Sequence, residues 1–438
     1  MSHPLARAAA AGACLALALP LAATAAHADG AGPIPAAASP GTESIAVSGV
    51  DRAAVAALEP RAAAPAVLTD EISTAEDFDV VGVTWDAASA PAGVQVQVRV
   101  REHGTWSGWE SLPVEDGGPD PGSAEARAAS SVVATEPLAT DGADGVQVRV
   151  DAPGGAVPQG VEVKLVDGGE LTGGATGAAS APVAVRTSGL AAASEDASAG
   201  TEVAAPPVIT RAQWGADESL SRRAGTNSTL KAMVVHHTAS SNAYSSKTSA
   251  MAQLRGIYAY HTKTLGWADI GYNFVVDKFG NIYEGRRGSI TQLTMGAHAS
   301  GFNTGTMGVS ALGNYEEASP SSAMVTAISK VVAWKLGAYG VDPQGTTTLV
   351  SAGGGTSRFS SGRSVELPTV LRHLDVGLTA CPGVRMSAQM PAIRTKAASL
   401  IKAAASPPAP APAPVRSMVG GVPLTGDWDG NGRAEPGW

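Results

Sequence analysis

Two cysteines, Cys14 and Cys381, are all that 438 residues contain, so no disulfide framework holds this chain together. Aromatic residues are scarce at 5%, and 30 basic residues stand against 39 acidic ones, a formal net charge of −9. A nucleic-acid binder needs a basic face, and acidic and basic residues mixed along the chain argue against one. Beyond the N-terminus no stretch approaches the ~20 apolar residues of a membrane-spanning helix. What the chain does have is Ala, Gly and Pro in abundance, and length enough for two or three domains of ~150 residues each.

The N-terminus places Arg7 before an Ala/Leu run and ends it at Ala26-His27-Ala28, the pattern of a secretory signal over residues 1–28. Cys14 lies at the front of the apolar run, not just after it where a lipid-anchored cysteine would stand, and is expected to leave with the signal. The mature protein is then expected to be secreted or associated with the cell wall, with Cys381 its only thiol. Such an odd cysteine serves as an intermolecular bridge, a reactive thiol or a metal ligand, or packs as a small hydrophobe.

Composition divides the remainder. Residues 29–69 are Ala/Pro-rich and read as a flexible leader. From 70 to 168, runs such as FDVVGVTW, GVQVQVRVREHG and GVEVKLVDGG put apolar residues at every second position between Gly, Pro and Asp, the mark of half-buried antiparallel strands in an all-β, sandwich-like domain. Trp106 and Trp109 near a turn there either stack on sugar rings or serve as core or edge aromatics, and His103 reads as a surface residue. Residues 169–205 are an Ala/Gly/Ser linker and 404–418 a stiff Pro/Ala spacer. Such linkers transmit little structure, so residues 206–403 are expected to fold and act alone.

Within 206–403, KAMVVHHTAS is a buried strand whose end carries His236 and His237 on opposite faces. Met251, Leu254, Ile257 and Tyr258 follow at helical spacing, with His261 a packed or capping residue at the end of the stripe. DIGYNFVVDKFGNIYEGR reads as a hairpin, MGVSALGNY as a strand, and Met324, Ile328, Val331, Val332 and Leu336 as one face of a helix. The order predicts an α/β domain, a mixed central sheet flanked by helices. TVLRHLDVGLTACPG then delivers His373 and Cys381. Catalytic zinc takes three protein ligands of imidazole, thiolate or carboxylate type and keeps a water. His236, His373 and Cys381 meet that count, although the spacing alone leaves the other roles of a thiol open.

The motifs VVHHTAS, DIGYNFVVDKFGNIYEGR, GAHASGFNTGTMGVSALGNY and RHLDVGLTACPG, in that order over roughly 206–400, resemble the amidase branch of the peptidoglycan recognition proteins and the related phage amidases. The resemblance implies one Zn²⁺ per chain on His236, His373 and Cys381, with Tyr272 as the active-site tyrosine. It also implies hydrolysis of the amide between the lactyl group of N-acetylmuramic acid and L-alanine of the stem peptide. Thr379 stands where phage members have lysine, and Ser310 where some members have glutamate, so the general base is left open. Tyr272 and Thr379 are expected to share catalysis, one donating to the oxyanion or moving a proton and the other holding carbonyl or water, in exchangeable roles. His298 and Asn303 lie where the family contacts its glycopeptide and are assigned to substrate binding, the alternative being that either only braces its loop.

Three rivals remain: a receptor that binds peptidoglycan without cutting it, a Cys381/His373 nucleophilic dyad, and a zinc peptidase acting elsewhere in the stem peptide. The chain is expected to be a monomer acting on peptidoglycan or muropeptides. In the last segment, 419–438, Asp427, Asp429 and Asn431 have the alternating oxygen spacing of a calcium loop without its final glutamate. They resemble the start of an Asp-rich repeat, and are read either as a weak Ca²⁺ site or as a solvated acidic tail.

Overall fold

Alternating valines become strands as their spacing predicts. In Gln95–Glu102, Val96, Val98 and Val100 are buried while Gln97, Arg99 and Arg101 are half-buried on the other side. The protein was analysed as a computed structural model. It describes residues 40–47, 49, 65–89, 93–152, 158–169 and 200–406, and the backbone of two short paired strands, Leu424–Gly426 and Glu435–Gly437. The signal sequence expected at 1–28, most of both linkers, and Asp427, Asp429 and Asn431 lie outside the described residues. Among the described residues no helix is long and apolar enough to cross a membrane.

The N-terminal part is one hydrogen-bonded sheet of nine strands. Its two longest, Ile72–Asp86 and Leu138–Asp151, pair antiparallel with register shifts at Phe78. Bulges bend a strand and change its neighbour, and Ile72–Asp86 goes on to pair with Glu162–Asp167 and Val132–Ala134. The sheet encloses a core that includes Val81, Val83, Trp85, Val98, Val148 and Val163. The expected flexible leader is corrected in part: Gly41–Ala46 is an edge strand paired antiparallel with Glu162–Asp167, and Val67–Leu68 pairs with Leu138–Asp151. GTESIA is too short and too exposed to show a period of two.

The second part is α/β. Five strands lie in the order Ile282–Glu284, Phe274–Val276, Thr306–Ala311, Ala232–His237, Val370–Arg372, parallel except for the edge hairpin. The helices Ser322–Ala338 and Met390–Ala405 cover one face, where Met324, Ile328, Val331 and Ile393 meet Met233, Val235, Phe274 and Val309. Helix Lys247–Ala259, capped by Ser246, covers the other with Met251, Leu254 and Ile257 against Val275 and Tyr283.

That last helix also packs on the N-terminal sheet, because Val80, Ala134, Ala139 and Val166 belong to the same buried cluster. Glycine on both sides allows the approach: a β-carbon on Gly82 would sit 2.4 Å from the Tyr260 hydroxyl, and one on Gly256 2.5 Å from Val80. Hydrogen bonds cross the seam from Gln253 Nε2 to Thr140 O (3.1 Å), Tyr260 Oη to Thr135 O (3.0 Å) and Arg255 Nε to Gly168 O (2.6 Å). Residues 206–403 therefore share a buried core with the N-terminal sheet, a contact that their expected independence did not include.

Asp79 sits at this seam and accepts from Gly168 N at 2.7 Å. Burial lifts its carboxyl to about 6, so between about pH 4 and 6 the folded state holds more protons than the unfolded one. Its charge thus costs stability above pH 6 and nothing below about pH 4. Asp79→Asn is expected to raise Tm at pH 7.5, with the gain vanishing near pH 4 in thermal melts. A gain of equal size at both pH values would place its cause elsewhere.

Candidate active site

Parallel strands end on the same side of a sheet, and Val235 lies level with Arg372. The next residues, His236 and His373, therefore meet, with ring centroids 4.6 Å apart. After His373 the chain turns back: Leu374 N donates to Cys381 O at 2.8 Å and Cys381 N to Thr379 Oγ1 at 2.9 Å. This brings Cys381 Sγ to 3.7 Å from His236 Nδ1 and 3.4 Å from His237 N. One donor atom from each of His236, His373 and Cys381 lies within 4.8 Å of the others.

Zinc fits this set. With Zn–N near 2.0 Å and Zn–S near 2.3 Å, tetrahedral ligands would stand about 3.5 Å apart sulfur to nitrogen, close to the 3.7 Å found. Burial, followed by the neighbouring imidazoles, drives His236 well below the usual histidine range, and burial lowers His373. Both rings are then neutral, as ligation requires. Burial and then Asp116 raise the Cys381 thiol, a cost that a bound cation reverses by taking the thiolate.

The remaining expected residues fall into two groups. Tyr272 lines the cavity, 7% exposed, its ring 5.4 Å from that of His236. Burial, then Glu136 and Glu115, raises its phenol well above 10, so it stays a donor. His298 also lines the cavity, whereas Asn303 and Thr379 lie off its wall. His298 is 1% exposed and its Nδ1 is 3.0 Å from His236 Nε2, so it orients that ring. Asn303 is fully buried and its Oδ1 accepts from His298 N and Ala299 N at 2.8 and 3.1 Å, which braces the loop. Thr379 is not on the cavity wall, and its hydroxyl holds Cys381 N. His237 faces away and accepts from Tyr315 N at 3.2 Å, while His261 accepts from Gly271 N at 3.1 Å and packs on Trp267.

Sequence reading missed the acids from the N-terminal sheet. Glu115, Asp116 and Glu136 line the same cavity and offer three carboxylate oxygens within 4.8 Å of one another. The signal of Glu115 and Asp116 was the acidic turn VEDGGPDPG, which no periodicity links to Glu136 or to His373, 257 positions beyond Asp116.

Residues 226–384 match a family model described as N-acetylmuramoyl-L-alanine amidase, and residues 25–186 match one described as Rv3811 N-terminal galactose-binding domain-like. Peptidoglycan-recognition protein SC2 of Drosophila melanogaster is 35% identical over 179 residues, 41% of this chain and 82% of that protein. The chain belongs to the peptidoglycan recognition protein and amidase family. Among the family's other members, the human N-acetylmuramoyl-L-alanine amidase is 36% identical over 124 residues, 28% of this chain and 21% of that enzyme. Two solved structures are similar: Drosophila PGRP-LB (24% identity, TM-score 0.33, 42% of this chain and 91% of that one), and the endolysin amidase LysCS of Clostridium intestinale (21%, 0.30, 43% and 95%).

Metal analysis of the purified chain is expected to find about one zinc, the count of a single three-ligand site. His236→Ala, His373→Ala or Cys381→Ala should lose it, and His237→Ala should keep it. His298→Ala should weaken zinc affinity by roughly tenfold or more, the scale of a lost partner behind a ligand. Zinc retained by His236→Ala but lost by His237→Ala would reverse the assignment.

Proposed function

We propose that the chain is a secreted zinc N-acetylmuramoyl-L-alanine amidase that cuts the amide between the lactyl group of N-acetylmuramic acid and L-alanine of the stem peptide. The observation that carries this reading is the convergence of Cys381 with His236 and His373, since a protein that only bound peptidoglycan would have no use for three metal donors. His236, His373 and Cys381 would hold a zinc ion, which would supply a water acidified to about pKa 7 and polarise the carbonyl. Tyr272, protonated by its burial, donates to the oxygen of the amide as charge develops there. His298 fixes the ring of His236, and Thr379 fixes the backbone that presents Cys381. A cysteine nucleophile is disfavoured, because burial raises the thiol and its imidazole neighbour at 3.7 Å is His236 rather than His373. The acidic balance of the chain leaves recognition to specific contacts instead of bulk charge.

Mass analysis of digested muropeptides is the test. The expected products are an intact stem peptide beginning with L-alanine and a peptide-free disaccharide; alanine left on muramic acid would mean a peptidase, and no product from metal-loaded protein a receptor. Tyr272→Phe should keep its zinc while turnover falls by ~10²-fold, the scale of a lost oxyanion or acid–base contact. Unchanged turnover would leave Tyr272 as packing.

A further inference from the structure

Between Glu110–Leu112 and Val132–Ala134 the N-terminal sheet sends out residues 113–123, which lie across the metal candidate site. This strap is fastened on both sides of Asp116. Toward its own sheet, Glu115 N donates to Ala134 O at 2.9 Å and Glu136 N to Pro113 O at 2.8 Å. Toward the α/β part, Gly118 N donates to Ala297 O at 3.0 Å, and Gly118 O accepts from Asn303 Nδ2 at 2.8 Å. Asp120 then accepts from Gly301 N (2.9 Å), Asn303 N (3.1 Å), Asn303 Nδ2 (2.8 Å), Thr304 N (3.2 Å) and Thr304 Oγ1 (3.0 Å). Just beyond, Glu125 takes both arms of the buried Arg286 guanidinium at 2.7 and 3.0 Å.

Held this way, Asp116 is 6% exposed and its Oδ1 is 3.3 Å from His373 Nδ1. The other ring nitrogen, Nε2, faces Gly377, where a β-carbon would sit 2.9 Å from it, and it has no hydrogen-bond partner. Gly377 is not on the cavity wall whereas Asp116 and Cys381 are, so Nδ1 is the nitrogen turned to the site. Tetrahedral nitrogen and oxygen ligands with bonds near 2.0 Å stand about 3.3 Å apart, which is the separation found. The sulfur-to-nitrogen edge agrees as well. Three protein donors leave one position open, and a fourth makes the closed coordination of a structural zinc.

We propose that Asp116 is a fourth protein ligand of the metal centre and that the strap 113–123 keeps the centre closed, so that this form of the chain is latent until the strap is displaced. The proposal rests on the zinc amidase reading. Space agrees with it: the cavity left under the strap is about 10 Å³, room for about one water molecule. A disaccharide-peptide enters only with the strap lifted.

The test uses the full chain carrying Cys14→Ser, loaded with cobalt(II) in place of zinc, alongside Asp116→Ala and Asp120→Ala, with circular dichroism to verify folding. Azide should leave the visible spectrum of the parent unchanged and shift that of Asp116→Ala, where a position has opened. Asp120→Ala touches no metal donor and frees the strap. It should label faster at Cys381 with a thiol reagent in the metal-free chain, and cleave a soluble disaccharide-peptide roughly tenfold faster, the population shift expected from losing charge-assisted hydrogen bonds. If Asp120→Ala does not fold, Thr304→Val removes one of the strap's bonds and should move both readouts in the same direction. A parent that binds azide as Asp116→Ala does, two metals per chain, or strap variants whose Cys381 labels no faster than that of the parent would overturn the proposal. If azide and thiol labelling respond as expected but no chain releases a stem peptide, the strap stands and the amidase reading fails.

Discussion

The parallel register between Ala232–His237 and Val370–Arg372 is the constraint on which the candidate site depends. Adjacent parallel strands deliver their C-terminal ends to one edge, the place where open α/β sheets bind ligands. Here that edge receives His236 from the central strand and His373 from its neighbour one residue past the pairing. A slip of one position would turn His236 to the face now held by His237, against Tyr315, and the donor set would be lost. The core on either side of the sheet, with Met233 and Val235 toward one pair of helices and Val234 toward Phe302 and Leu371, is what prevents that slip.

Around this register the site is built in shells of decreasing locality. The turn from His373 to Cys381 is local, closed by Thr379 and by the Leu374 to Cys381 bond. His298 arrives from the segment before Thr306–Ala311 and supports His236 from behind. The carboxylates come from the other end of the chain, carried by a sheet that reaches the site because helix Lys247–Ala259 packs against both parts. A galactose-binding-like segment thus does more than sit beside the α/β part, since its acids form part of the cavity wall.

The α/β part was readable from sequence because its signals are local. The helical stripe of Met251, Leu254 and Ile257, the Gly/Asn turn of the hairpin and the valine run before His236 each fix an element without reference to the rest. The three donors were readable because few residue types can do that chemistry. Side chains whose role depends on a distant neighbour were not: the sequence left Asn303 and His298 between substrate contact and loop bracing, and only the positions of Asp120 and His236 show how each is held. The strand Gly41–Ala46 was hidden for the same reason, being held by a partner 120 positions away between Ser44 and Lys164.

The paired glycines at the seam carry a consequence for descent. Gly82 and Gly256 are each needed by a side chain on the opposite part, Tyr260 in one case and Val80 in the other. Domains that recombine freely meet through surfaces tolerant of strangers, and this seam is not one. A related chain that exchanged its N-terminal sheet for one with a larger residue in place of Gly82 would set a β-carbon against the Tyr260 ring, so the two halves are expected to be inherited as a couple.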